Sequence, residues 1–81
     1  SSNIKYPTIS QETGSQGKVI VQFVVDKDGT ISNPEVVRGV DPYLDKEAIR
    51  VISSMPKWTP GVQNGKKVRV KFTVPVSFRL Q

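Results

Sequence analysis

Asp26 and Asp28, in the stretch DKDGT, have the carboxylate spacing that opens a calcium loop. Such a loop needs further acidic ligands and a closing Glu. Here Thr30, Ile31 and Ser32 follow instead. Turn chemistry accounts for both aspartates, since Asp favours tight turns and Gly29 can adopt positive φ. Asp41, Asp45 and Glu47 are the other acidic group. They sit where a helix starts, with an N-cap and favourable negative charge, and not as an acid–base pair. The chain has no His and no Cys. The commonest general base, thiolate nucleophiles and disulfides are therefore missing. Ser10, Ser15, Ser32, Ser53, Ser54 and Ser77 lack a G-x-S-x-G setting, and no glycine-rich phosphate loop is present. No catalytic residue, metal site or cofactor is expected, which points to a binding module and not an enzyme.

The chemistry that remains is cationic. Lys and Arg number 12 against 7 Asp and Glu, a net charge of +5. That balance favours acidic partners without choosing among them. Lys67, Arg69, Lys71 and Arg79 fall at alternate positions and would project from one face of a strand, with Lys18 joining them. Two readings stand: an anion-binding surface, or a solvated sheet face. Nucleic-acid binding would call for aromatic rings among the cations. Phe72 and Phe78 fall on the opposite face, so no nucleic-acid partner is expected.

Three strands and a helix must position these groups. KVIVQFVVD, residues 18–26, alternates with Val19, Val21, Phe23 and Val25 on one face and Ile20 and Val24 on the other. DKDGT turns the chain, and ISNPEVVRG, residues 31–39, returns as a hairpin partner. In DPYLDKEAIRVISSM, Asp41 is a good N-cap and Pro42 suits the first helical position. Leu44, Ala48, Val51 and Met55 make an apolar stripe that Ile49 and Ile52 widen. Pro56 ends this helix. Asn64-Gly65 signals a turn. Then KVRVKFTVPVSFRL alternates without a break, with Val68, Val70, Phe72, Val74, Val76, Phe78 and Leu80 on one face. It is expected to be a single strand. A short helix is expected after Pro7, ending at Gly14.

Proline avoids central strands. Pro34 lies in the second strand and Pro75 in the third, while the first has none. The expected fold is α+β: a three-stranded antiparallel sheet in the order 2-1-3, ββαβ, with one main helix on one face. The third strand is then a long edge, partly shielded by Lys, Arg and Pro75. Such an edge either stays protected or accepts an extended peptide by strand addition. In MPKWTPG, residues 55–61, Trp58 is expected to fold back as a plug over the helix–sheet seam.

Taken together, the Tyr-Pro pair, the G-x-x-G-x-V-x-V-x-F-x-V run at Gly14–Val25, DGTISNPEVVRG, LDKEAIRVISSMPKWTPG and NGKKVRVKFTVPVSFRL resemble the TonB C-terminal domain family. The resemblance runs from Tyr6 to Leu80 and is nearer the Bacteroidetes type than the enterobacterial one. It implies residues 6–81 as that domain, with residues 1–5 the remnant of a linker from a longer protein. It implies a periplasmic domain anchored in the inner membrane through a segment outside this chain, and driven by ExbB–ExbD. The implied partner is the TonB box of an outer-membrane TonB-dependent transporter, added as a strand beside the last strand. The family's transporter-contacting pair matches Tyr6 and Pro7, although Lys5 stands where Gln is frequent. The edge matches Arg69, Val70, Lys71, Phe72, Thr73, Val74 and Pro75. Left open are a basic module for nucleic acid or cell wall, and a TonB-like domain joined to a membrane peptidase or sensor. No run of about 18 apolar residues is present.

Overall fold

The computed structural model describes residues 4–80. Its axis is β1, Gly17–Val25, whose inner side chains Val19, Val21, Phe23 and Val25 are all buried. β1 is flanked on both sides, which is why its outer face also carries half-buried Ile20 and Val24. On one side lies β2, Ile31–Arg38, antiparallel and joined by the 26–30 turn. In that turn Gly29 N–H donates to the Asp26 carbonyl at 2.9 Å, and Thr30 N–H to Asp28 Oδ1 at 2.9 Å. The Thr30 hydroxyl first, and this backbone bond second, hold the Asp28 pKa below its usual value. β2 carries a bulge, because Gln22 pairs with Glu35 and Val24 with Ser32. Phe23 therefore faces both Asn33 and Pro34, and Asn33 takes φ 51° to make the bend.

The helix α2, Pro42–Ser54, starts as the sequence predicts. Asp41 Oδ1 accepts Leu44 N–H at 2.8 Å, and Pro42 occupies the first turn. Met55 is already extended, with ψ 145°, because Pro56 follows it. Leu44, Ala48 and Ile52 are buried in the core against the sheet, and Val51 is buried on the side facing β5. The short helix α1, Thr8–Thr13, ends at Gly14, which is left-handed at φ 75°. Residues 1–3 of the expected linker and Gln81 lie outside the described residues. Ile4 and Lys5, expected in that linker, lie against the domain.

The expected third strand is divided. Gly61–Gln63 and Lys66–Val68 pair as a separate hairpin, β3 and β4. Asn64 (φ 53°) and Gly65 (φ 75°) form its two-residue turn. Only after Arg69 does β5, Val70–Phe78, join the sheet. The reason lies in β1. Its last residue, Val25, pairs with Val70, and Asp26 then enters a turn. Residues before Val70 have no partner left in β1, so they pair with β3 instead. The sheet order is β2-β1-β5, the expected 2-1-3, and the molecule is elongated at 49 × 21 × 18 Å.

Candidate functional site

β5 pairs with β1 along its full length, from Gly17↔Phe78 to Val25↔Val70, with no shift in register. An antiparallel ladder alternates pairs that exchange both hydrogen bonds with pairs that exchange none. Pro75 has no N–H, and it faces Ile20. That pair must be of the second kind. Stepping by twos, Val70, Phe72, Val74, Val76 and Phe78 bond to β1. The backbone groups of Lys71, Thr73, Pro75 and Ser77 point to the other side, where no described strand pairs with them. β5 thus presents a row of N–H and C=O groups broken by one missing donor, at Pro75.

The two faces flanking this row differ. On the outer face Lys71 lies across from Val24 and Ser77 from Lys18. The rings of Phe23, Phe72 and Phe78 lie on the inner face. α2 packs chiefly over β1 and β2, so it covers β5 incompletely. Val76 and Phe78 are buried, whereas Val70, Phe72 and Val74 are only half-buried. Between α2 and β5 runs an apolar groove of about 360 Å³. Val51, Met55, Trp58 and Ile4 form its wall, and Val74 and Val76 its floor.

Trp58 has a double position. Its ring meets Phe23 edge-on at 5.0 Å and Phe72 at 5.6 Å. Its indole N–H donates to Met55 Sδ at 3.3 Å. Its backbone N–H donates to the Gly29 carbonyl at 2.9 Å, docking the loop onto the β1–β2 turn. Trp58 closes the core on one side and walls the groove on the other.

The N-terminal arm reaches the same region. Tyr6 lies edge-on to Phe78 at 5.6 Å, and its hydroxyl donates to the Ser15 carbonyl. The Pro7 carbonyl accepts Gln11 N–H at 3.0 Å and starts α1. Lys5 N–H donates to Glu47 Oε2 at 2.8 Å. Glu47 is 9% exposed and takes Arg50 in a two-pronged bond, Nε at 2.8 Å and Nη2 at 2.7 Å. The Arg50 bond is the main influence holding the Glu47 pKa below its usual value; burial opposes it and Lys5 N–H assists. Ser10 is buried and bonds through its hydroxyl to Asp41 Oδ2 at 3.0 Å. Burial acts most strongly on Asp41 and pushes its pKa up. The bonds from Leu44 N–H and the Ser15 and Ser10 hydroxyls together outweigh it and leave the pKa lowered.

The residues singled out in the sequence therefore gather along one strand. Tyr6 and Pro7 lie at the Phe78 end. Val70, Lys71, Phe72, Thr73, Val74 and Pro75 lie within β5, but only Lys71, Thr73 and Pro75 turn their backbones outward. Arg69 falls outside β5, and its Nε bonds to Asp26 Oδ1 at 2.8 Å. Lys67 belongs to β4. Ser77 was not expected, although the parity of Pro75 predicts it. From sequence alone Glu47 is only a helix-start charge. Its spacing of three from Arg50 was the available signal. Among the described residues no group of His, Cys, Asp and Glu could hold a metal ion, and no helix is long and apolar enough to cross a membrane.

Comparison with known proteins converges on one family. The family model described as Gram-negative bacterial TonB protein C-terminal matches residues 2–80. Protein TonB of Haemophilus influenzae is 35% identical over 77 residues, covering 90% of this chain and 28% of that protein. Protein TonB of Pseudomonas aeruginosa is 31% identical over 78 residues, covering 94% of this chain and 22% of that protein. The chain thus spans about a quarter of the length of these relatives. Two solution structures of the Helicobacter pylori TonB C-terminal domain superpose with TM-scores of 0.75 and 0.71, at 25% and 26% identity. They cover 99% and 95% of this chain, and 72% and 80% of theirs.

Proposed function

The chain belongs to the TonB C-terminal domain family, and from that membership we propose that it grips the TonB box of an outer-membrane transporter as an added strand along β5. In this reading it is the periplasmic, non-enzymatic end of an inner-membrane-anchored transducer, and ExbB–ExbD drives it through a region outside this chain. Pulling on the box then opens the transporter to its nutrient.

The observation that carries the reading is that no described strand pairs with the outer side of β5. Pro75 and the flanking cations blunt this edge only in part, and its other backbone groups stay available to an added strand. Here the partner strand would receive N–H groups from Lys71, Thr73 and Ser77, and would donate to the carbonyls of Lys71, Thr73, Pro75 and Ser77. Each bond contributes roughly 1 kcal/mol net, offset by the cost of ordering the peptide. A dissociation constant near micromolar, about −8 kcal/mol, is the expected scale. Tyr6 and Pro7, beside Phe78, are proposed to extend the contact at the far end of the strand. Force applied along the added strand is shared by all its bonds at once, so weak equilibrium binding can outlast a brief pull.

The test is a peptide titration followed by amide NMR, with peptides taken from the TonB boxes of transporters encoded beside this protein. The amides of Lys71, Thr73 and Ser77 should shift most and gain protection from exchange. Binding that leaves these three amides unmoved would overturn strand addition on β5.

A further inference from the structure

The groove between α2 and β5 has its rim at the outward edge. Its floor residues Val74 and Val76 flank Pro75, the position with no donor. Backbone recognition is weakest there, and side-chain space is open there. A residue of an added strand that sits opposite Val74 or Val76 shares their face. Its side chain therefore points to the groove. Residues opposite Thr73, Pro75 and Ser77 point to the outer face, toward Lys71 and Arg79.

Resting on the strand-addition reading above, we infer that this groove is a side-chain subsite for one branched aliphatic residue of the partner strand. The groove's wall is Val51, Met55, Trp58 and Ile4, all apolar. The one polar group of these side chains, the Trp58 indole N–H, is already bonded to Met55 Sδ. The polar side chain at the groove is Ser77, at its β5 rim, and none of the lining residues is charged, so a buried charge in the groove would go unpaired. The cations on the other face fix the rest of the occupant. It is an extended segment that turns aliphatic residues toward α2 and acidic residues toward Lys71 and Arg79. The subsite also depends on the N-terminal arm, because Ile4 is held over the groove by the Lys5–Glu47 bond. The arm thereby acts on selectivity through the groove wall, without pairing as a strand with β5.

The experiment selects nine-residue peptides from a random displayed library on this protein. The selected peptides are then changed to Asp one inward position at a time. Binding is measured by calorimetry, and the contact by amide NMR and by emission of Trp58. One inward aliphatic→Asp change should weaken binding about 10- to 100-fold, and peptide binding should shift Trp58 emission to shorter wavelength. The variant Ile4→Ser should shrink that ratio several-fold while the Lys71, Thr73 and Ser77 amides still respond. If those amides respond but every inward Asp is tolerated within about two-fold, the subsite is refuted and strand addition stands. If no selected peptide moves those amides, strand addition falls and takes the subsite with it.

Discussion

Gly29→Ala should destabilise the protein by about 3–6 kcal/mol, mostly through a residue far away in sequence. Gly29 has φ 87°, and a side chain there costs about 1–2 kcal/mol by itself. A Cβ at this position would also overlap the Trp58 carbonyl oxygen and press on Lys57 Cβ at 3.3 Å. The first obstacle is backbone, so the 57–59 loop must lift. Lifting it breaks the bond from Trp58 N–H to the Gly29 carbonyl, worth about 1 kcal/mol. It also pulls the indole from Phe23 and Phe72, where each ring pair contributes about 0.5–1.5 kcal/mol. For a domain whose total stability is roughly 4–12 kcal/mol, the melting temperature should fall by about 20 °C or more. Gly14→Ala is the control. Its φ is 75°, but a Cβ there meets nothing within 4 Å, so only the ~1 kcal/mol conformational cost remains. Urea unfolding followed by Trp58 fluorescence and by circular dichroism measures both variants. Equal losses for Gly29→Ala and Gly14→Ala, with native Trp58 emission in both, would refute the docking of the loop on the turn.

Trp58→Ala should cost about 3 kcal/mol, at the low end for a Trp because one side of the ring borders an open groove; a loss under ~1 kcal/mol in chemical denaturation would contradict the plug. Asp41→Ala removes the cap of α2 and the partner of buried Ser10, and should cost ~1–2 kcal/mol in the same assay. Glu47 and Asp41 both have lowered pKa values in the folded protein. Their contribution is complete above the unfolded values near ~4 and is lost as pH falls through the lowered folded values. Stability measured from pH 6 down to pH 2 should therefore drop on the acid side, and Glu47→Gln should flatten that drop; an unchanged acid limb would show that Glu47 is not tied as described. Arg69→Ala should leave stability nearly unaltered, since its bond to Asp26 is on the surface, and a large drop in melting temperature would contradict that.

The sequence made the long elements legible because their signals are local. Alternation marks β1, the Asp41-Pro42 start and the Pro56 stop bound α2, and the two prolines order the strands. The break at Arg69 was not legible for a physical reason. Alternation of side chains says which face a residue takes, and it continues unbroken through Val68 and Val70. It does not say which strand each half pairs with; that depends on where β1 runs out. β3, three residues long with Val62 exposed, carries no pattern of its own. The bulge at Asn33 answers to Phe23 across the sheet, and Glu47 is buried because the N-terminal arm crosses it. Of the candidate site, the strand and Tyr6 could be found from sequence. The groove could not, since it is assembled from Ile4, α2, Trp58 and β5 together.

Pro75 has one more consequence, for how two copies of this protein meet. Two β5 edges that paired antiparallel about a two-fold axis would each bring a Pro75 into the ladder. Two bonds would be missing, whatever the register that includes both prolines. A foreign strand laid on the same edge meets Pro75 once and loses one bond. The difference is about 1 kcal/mol, a roughly fivefold bias toward mixed pairs over like pairs. On the strand-addition reading, a single ring on the edge strand thus favours a foreign strand over a second copy of the same edge by about that factor.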